Sequence, residues 1–228
     1  MKTMAEFVND RIKSLPDLQD ALQTAMQLEF STIPPYLCAQ WSINADLGGV
    51  VSGLIQDIVV EEMDHFALAG NMLTAIGGMP SIANEAFIPR YPTNVLPGGI
   101  PQNVAVDPKP LTPSQVQVFM QIEYPEFPPV ALEAGPATIG AFYDTVANGF
   151  KTVNPTIIPN AFAVNLDEAT PIKSVADALA AIKLIKGEGE GTQGSPDQPP
   201  QGNTTLAHYY VFKEIFSQKT LVQDAAGN

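Results

Sequence analysis

The sequence predicts an all-α fold, an antiparallel four-helix bundle interrupted by long, irregular, proline-rich excursions. Three observations predict it. Apolar residues recur at helical spacing through several long segments. Prolines and glycines, 21 and 17 in number, collect between those segments and so act as punctuation. Two ionisable residues, Glu62 and His65, fall on one apolar helical stripe, where burial demands a partner.

The first helix is expected over 16–44. Ser14 precedes Pro16, which suits an early helical position, and Leu18, Leu22, Ala25, Ile33 and Tyr36 keep helical spacing. Pro34 and Pro35 lie inside this pattern and should kink or split the helix. A second helix is expected over 51–76, with Ile55, Ile58, Ala69, Met72 and Ile76 as its apolar stripe and Gly77, Gly78 and Pro80 as its stop. Residues 80–110 show no helical period. Their length argues for an ordered excursion packed over the bundle, serving as a lid or interface, with a disordered loop as the alternative.

Thr112 and Pro113 open a third helix through Val116, Phe119 and Met120 to Glu123. Prolines break 124–136, helix resumes over 137–150, and a second irregular stretch runs to Pro171. Ser174 caps a helix over 175–186, which meets the glycine-rich run 187–191. A polar Gly/Pro/Gln loop follows, then a short helix over 205–216. No internal repeat divides the chain, and 1–228 reads as one domain.

Composition narrows the partners. Hydrophobic residues make up 45% and charged residues 15%, so the chain can bury a core. A formal charge of -13 argues against nucleic acid and anionic membrane surfaces, which would repel it. The lone Cys38 excludes an internal disulfide framework and a thiolate zinc cluster within one chain. Residues 1–14 carry no apolar core of signal-peptide length, and no apolar run reaches the roughly 18 residues of a membrane span. A cytoplasmic protein with no membrane partner is the resulting expectation.

The chemistry centres on Glu62-Met63-Asp64-His65. Positions i and i+3 share a helix face, so Glu62 and His65 project side by side into the stripe of the second helix. Burying an unpaired carboxylate costs several kcal/mol. Dimetal carboxylate bundles compensate by pairing a Glu-x-x-His with a Glu from a neighbouring helix. Glu29 stands seven residues after Leu22 and seven before Tyr36, on the apolar face of the first helix, and can supply that carboxylate. Glu123 closes the third helix after Phe119, Met120 and Ile122. His208 is the only other histidine, set among Leu206, Tyr209 and Phe212, so a second imidazole ligand must be this one. Glu188 and Glu190 compete for the last carboxylate, and register from Leu179, Ile182 and Ile185 favours Glu188. Glu61 and Asp64 fall to the outer face or behind the ligands. Four carboxylates and two imidazoles suit a dinuclear iron centre, or manganese, better than zinc, which prefers fewer ligands in tetrahedral geometry.

The runs LQTAMQLEFSTIPPYLCAQWSI (22–43), EEMDHFALAGNMLTAIGG (61–78), FMQIEYPE (119–126), TIGAFYDTV (138–146), GEGEG (187–191) and AHYYVFKEI (207–215) resemble the ferritin-like portion of the iminophenyl-pyruvate dimer synthase family. The resemblance implies a ferritin-like antiparallel four-helix bundle. It implies metal ligands at Glu29, Glu62, His65, Glu123 and Glu190, the last because the family's Glu-Gln-Gly-Glu-Gly stretch aligns on 187–191. His208 completes the set. Ala141 stands where many relatives carry Glu, in Gly-Glu-Phe-Tyr. The family's synthases are longer chains, so their imine-dimerising activity is not carried over with the bundle.

Three functions compete. A non-haem diiron oxidase or oxygenase would use O₂ against a small, aromatic metabolite, with Tyr36 and Tyr143 facing inward as hydrogen-bond donors, redox participants or plain core residues. A metal-binding or storage protein would need no organic substrate and would form a cage-like homo-oligomer. A metal-free bundle would serve only to bind partners.

Overall fold

Most helices begin where the sequence supplies a cap. In the computed structural model, residues 2–99, 104–125, 138–159, 161–190 and 206–219 are described, and they form seven helices: α1 (Met4–Asp10), α2 (Leu15–Trp41), α3 (Ala45–Ala75), α4 (Pro113–Ile122), α5 (Ile139–Val153), α6 (Val175–Glu190) and α7 (His208–Ser217). The hydroxyls of Ser14, Thr112 and Thr138 accept the amides of Asp17, Gln115 and Ala141, which the first turns of α2, α4 and α5 cannot satisfy internally. The described fold is all-helical. Its only extended pairings are isolated bridges at Thr93–Val106 and Leu166–Ala169.

Several boundaries differ from the sequence expectation. α1 was not expected; it is held by a capping box in which Thr3 and Glu6 satisfy each other's backbone amides. α2 ends at Trp41, and Asn44 instead caps α3, whose first residue, Ala45, lies six before the expected start at 51. Gly48, Gly49 and Gly53 lower helix propensity there and mask the start, and Gly48 is itself non-helical with φ −129°. α6 continues through Gly187 and Gly189 to Glu190. The proline-broken stretch beyond residue 125, the polar loop beyond residue 190, and the expected helix starts at 137 and 205 lie outside the described residues.

α2 also runs unbroken through Pro34 and Pro35. Each proline deprives the carbonyl four residues earlier of its helical donor. For Pro35 that carbonyl belongs to Ser31, and the Tyr91 hydroxyl donates to it at 2.6 Å. The 80–110 excursion therefore repairs the helix it covers. It is pinned further by Gln23 and Gln27, which bond the backbone at Ser81 and Ala86, and it buries Phe87, Leu96 and Val106.

Two apolar clusters form the core. One joins the first half of α2 (Leu18 to Leu28) and the second half of α3 (Ala67 to Ile76) to α1, α5 and α6. The other joins the second half of α2 (Ile33 to Ala39) and the first half of α3 (Ile55 to Val59) to α4 and α7. That exchange of halves makes α2 and α3 antiparallel. It also leaves a gap between the two clusters at positions 29 and 32 of α2 and 62 and 65 of α3. Glu29, Thr32, Glu62 and His65 fill the gap, where α4 and α6 end and α5 and α7 begin.

Candidate metal centre

All six residues expected to bind metal are buried: Glu29, Glu62, His65, Glu123, Glu190 and His208. Five of them form two groups, Glu29–Glu62–His65 and Glu62–Glu123–His208, each with its potential ligand atoms within 4.8 Å of one another. Glu62 belongs to both. The imidazole rings of His65 and His208 stack at 5.7 Å. α3 provides Glu62 and His65 on one face, α2 provides Glu29, the last turn of α4 leads into Glu123, and His208 opens α7.

Glu190 belongs to neither group. It lines a void of about 10 Å³ together with Glu29, Glu62, His65, Glu123 and Tyr143, room for about one water. Its Oε1 accepts the Gly140 amide at 2.5 Å, at the start of α5. Glu188 lies outside the void and meets Nε2 of His65 at 2.8 Å. On His208, Nε2 likewise meets Glu61 at 2.8 Å. The two histidines thus use their outer nitrogens in the same way, on a carboxylate behind the centre. Their Nδ1 atoms face inward: that of His65 lies 4.0 Å from Glu29, and that of His208 lies 3.0 Å from Glu62 and 3.7 Å from Glu123.

The remaining carboxylate oxygens have donors. Tyr143 donates to Glu29 and Tyr36 to Glu123, both at 2.5 Å, and Thr32 donates to Glu62 at 2.9 Å. Burial, and then the adjoining carboxylate, raises both phenols well above the ordinary tyrosine range, so they stay protonated and able to donate. Thr32 escaped the sequence reading, although it stands one turn beyond Glu29 on the same face. Glu168 escaped it too. It shares a hydrogen bond with Glu188, which, with partial burial, pushes Glu168 up to about 7.

The electrostatics are those of a site built for positive charge. Burial, followed by the charge of Glu62, holds Glu29 well above the usual carboxylate range. Burial and then Glu123 raise Glu62. Burial opposes a proton on His208, but its contacts with Glu123, Glu61 and Glu62 outweigh that and raise it well above 6.5. Burial also works against charge on Glu188, yet the His65 hydrogen bond lowers it. Carboxylates this crowded need protons or cations to persist.

The residues fit a dinuclear cation centre. The fully buried Nδ1 of His208 has no aligned hydrogen-bond partner even though Glu62 lies 3.0 Å away. Once its proton is displaced, a nitrogen in that position can direct its lone pair at an ion. The donor set is carboxylate and imidazole, and Glu62 reaches both groups, as a bridging ligand must.

Comparison with known proteins agrees with this geometry. No curated protein gives a significant sequence match. A ferritin like protein from Caulobacter vibrioides, known from its crystal structure, superposes with a TM-score of 0.70 at 25% identity, over 96% of this chain and 80% of that one. Among the described residues no helix is long and apolar enough to cross a membrane. The ferritin-like family model matches residues 22–217, and the chain belongs to the ferritin-like family.

Proposed function

We propose that the protein is a non-haem diiron oxidase or oxygenase acting on a small, aromatic metabolite. The observation that carries the reading is the pair of buried Glu/His groups sharing Glu62, with the Nδ1 of His208 left without an aligned partner. Glu29 and His65 would hold one ion, Glu123 and His208 the other, with Glu62 between them and Glu190 completing the set. Oxygen donors outnumber nitrogen two to one among these six residues, which favours iron, then manganese, over zinc. A bound iron pair would supply the reduction of O₂ and the oxidation of substrate.

The protein's own groups have definite tasks in this scheme. Tyr143, Tyr36 and Thr32 orient the carboxylates, while Glu188 and Glu61 fix the imidazole rings through their outer nitrogens. The apolar clusters on either side exclude water. Support for an aromatic substrate comes from the motifs shared with the ferritin-like portion of the iminophenyl-pyruvate dimer synthase family. The small void favours a second reading, metal binding or storage without an organic substrate, because it accommodates little beyond ions and O₂.

Elemental analysis of protein from iron-sufficient medium, beside a Glu62→Ala/His65→Ala variant, tests the centre. About two irons per chain in the parent, lost in the variant, is the expected result. O₂ uptake by the ferrous protein, screened against aromatic acids and amines, then separates the readings. Uptake stimulated by one substrate class supports the oxygenase, and uptake indifferent to all supports storage. No transition metal after anaerobic reconstitution with ferrous iron would sink both.

A further inference from the structure

Two of the helix ends that meet at the centre are joined by a backbone hydrogen bond. Gly140 stands in the first turn of α5, and its amide holds Oε1 of Glu190, the last residue of α6. A first-turn amide has no partner within its own helix, and the positive end of the helix dipole favours a carboxylate. A Cβ on residue 140 would overlap that carboxylate, meeting both its oxygens and its carbon. The backbone does not call for glycine here, since Gly140 is absent from the positive-φ glycines. The requirement comes from Glu190.

We propose that Gly140 is a positioning residue for the metal centre. Its amide and bare α-carbon hold the Glu190 carboxylate at the rim of the void, from which Glu190 adds the ligand that the two three-residue groups lack. This rests on the dimetal reading above. A dimetal bundle of this type uses four carboxylates and two histidines. Glu29, Glu62 and Glu123 supply three of the carboxylates, and the contact with α5 places the fourth beside them.

The consequence of adding a methyl group is specific. The atoms it meets are the far end of a glutamate side chain, so the carboxylate should move while the helices stay in place. Alanine is also the better helix former. Gly140→Ala should therefore keep its helical fold as the metal-free protein, with Glu190 displaced.

The test is an anaerobic Co(II) titration of wild type, Gly140→Ala, Glu190→Ala and the double variant. The d–d absorption reports coordination, chelator competition reports affinity, and circular dichroism melts report the fold. Wild type should bind about two Co(II) per chain. Gly140→Ala should bind one of them about tenfold or more weakly, with the d–d spectrum of Glu190→Ala. The double variant should be no weaker than Glu190→Ala. Wild-type titration by either single variant, additive losses in the double, or loss of helix in metal-free Gly140→Ala would each overturn the inference. If wild type binds no Co(II), the dimetal reading itself fails, and this inference falls with it.

Discussion

The Nε2 atom of His65 lies 2.8 Å from Oε2 of Glu188, and both side chains are buried. This contact sets the ring's orientation and leaves Nδ1 directed at Glu29. Carboxylates placed behind metal-binding histidines in this way raise ligand basicity, and their loss costs 10- to 100-fold in metal affinity.

Glu188→Ala should therefore weaken binding of one Co(II) or Mn(II) ion by about 10- to 100-fold in chelator competition. Glu61→Ala should do the same at the His208 side. Glu85→Ala, at a fully solvated surface pair with Arg90, should leave both affinities unchanged. Equal affinities in all three variants would remove Glu188 and Glu61 from the centre.

Tyr143→Phe should strip Glu29 of the Tyr143 hydroxyl donor while keeping the ring. Leaving a buried acceptor unmatched costs about 1–3 kcal/mol, read as a lower urea midpoint with unchanged slope. The Tyr143 hydrogen bond also lowers the Glu29 pKa, so its loss should make Glu29 harder to ionise and weaken metal binding. Tyr36→Phe should act in parallel through Glu123, because the ring remains packed on Phe119 and Phe212. An unchanged urea midpoint in both variants would show that the phenols only fill space.

Metal-free protein should lose stability as pH rises. Glu29 and Glu62 are raised above 4.5 by burial and neighbouring carboxylates, and His208 is raised above 6.5 by its carboxylate contacts against the opposing effect of burial. Over the range above those unfolded values the folded chain binds more protons than the unfolded chain. The stability these groups contribute is fully present below the unfolded values and is lost as pH rises through the folded ones. Glu188, lowered by His65 despite burial, acts oppositely, losing its contribution only as pH falls below 4.5. In EDTA, the melting temperature should thus be higher at about pH 5.5 than at about pH 8. Added metal must displace the same protons, so its stabilising shift should grow with pH. A metal-induced shift that shrinks from pH 5.5 to 8 would contradict this.

The centre was more legible in the sequence than the helix boundaries were. Glu62 and His65 share a face by spacing alone, and Glu29 follows from the heptad distance to Leu22 and Tyr36. His208 follows from there being one other histidine. Periodicity favoured Glu188 over Glu190, yet both are buried, about 200° apart around the last turn of α6. One faces the outer nitrogen of His65 and the other faces α5, a distinction that depends on where a third helix begins. α1 is too short for its period to register, and its one local signal is the Thr3/Glu6 capping box. Glu168 sits in an irregular stretch, where no period relates it to Glu188.

The same limit explains why Pro34 and Pro35 suggested a break that α2 does not have. The missing donor at Ser31 is supplied from the 80–110 excursion by Tyr91, a partner 60 residues away that no local rule can find. Tyr91→Phe should leave the Ser31 carbonyl unmatched and cost about 1–3 kcal/mol in urea unfolding. In a Pro35→Ala background, residue 35 regains an N–H that can reach Ser31, so Tyr91→Phe should cost less there. A coupling energy of at least about 0.5 kcal/mol between the two substitutions is expected. Strictly additive costs would mean that Tyr91 stabilises the excursion by packing alone, leaving the continuity of α2 to its apolar contacts.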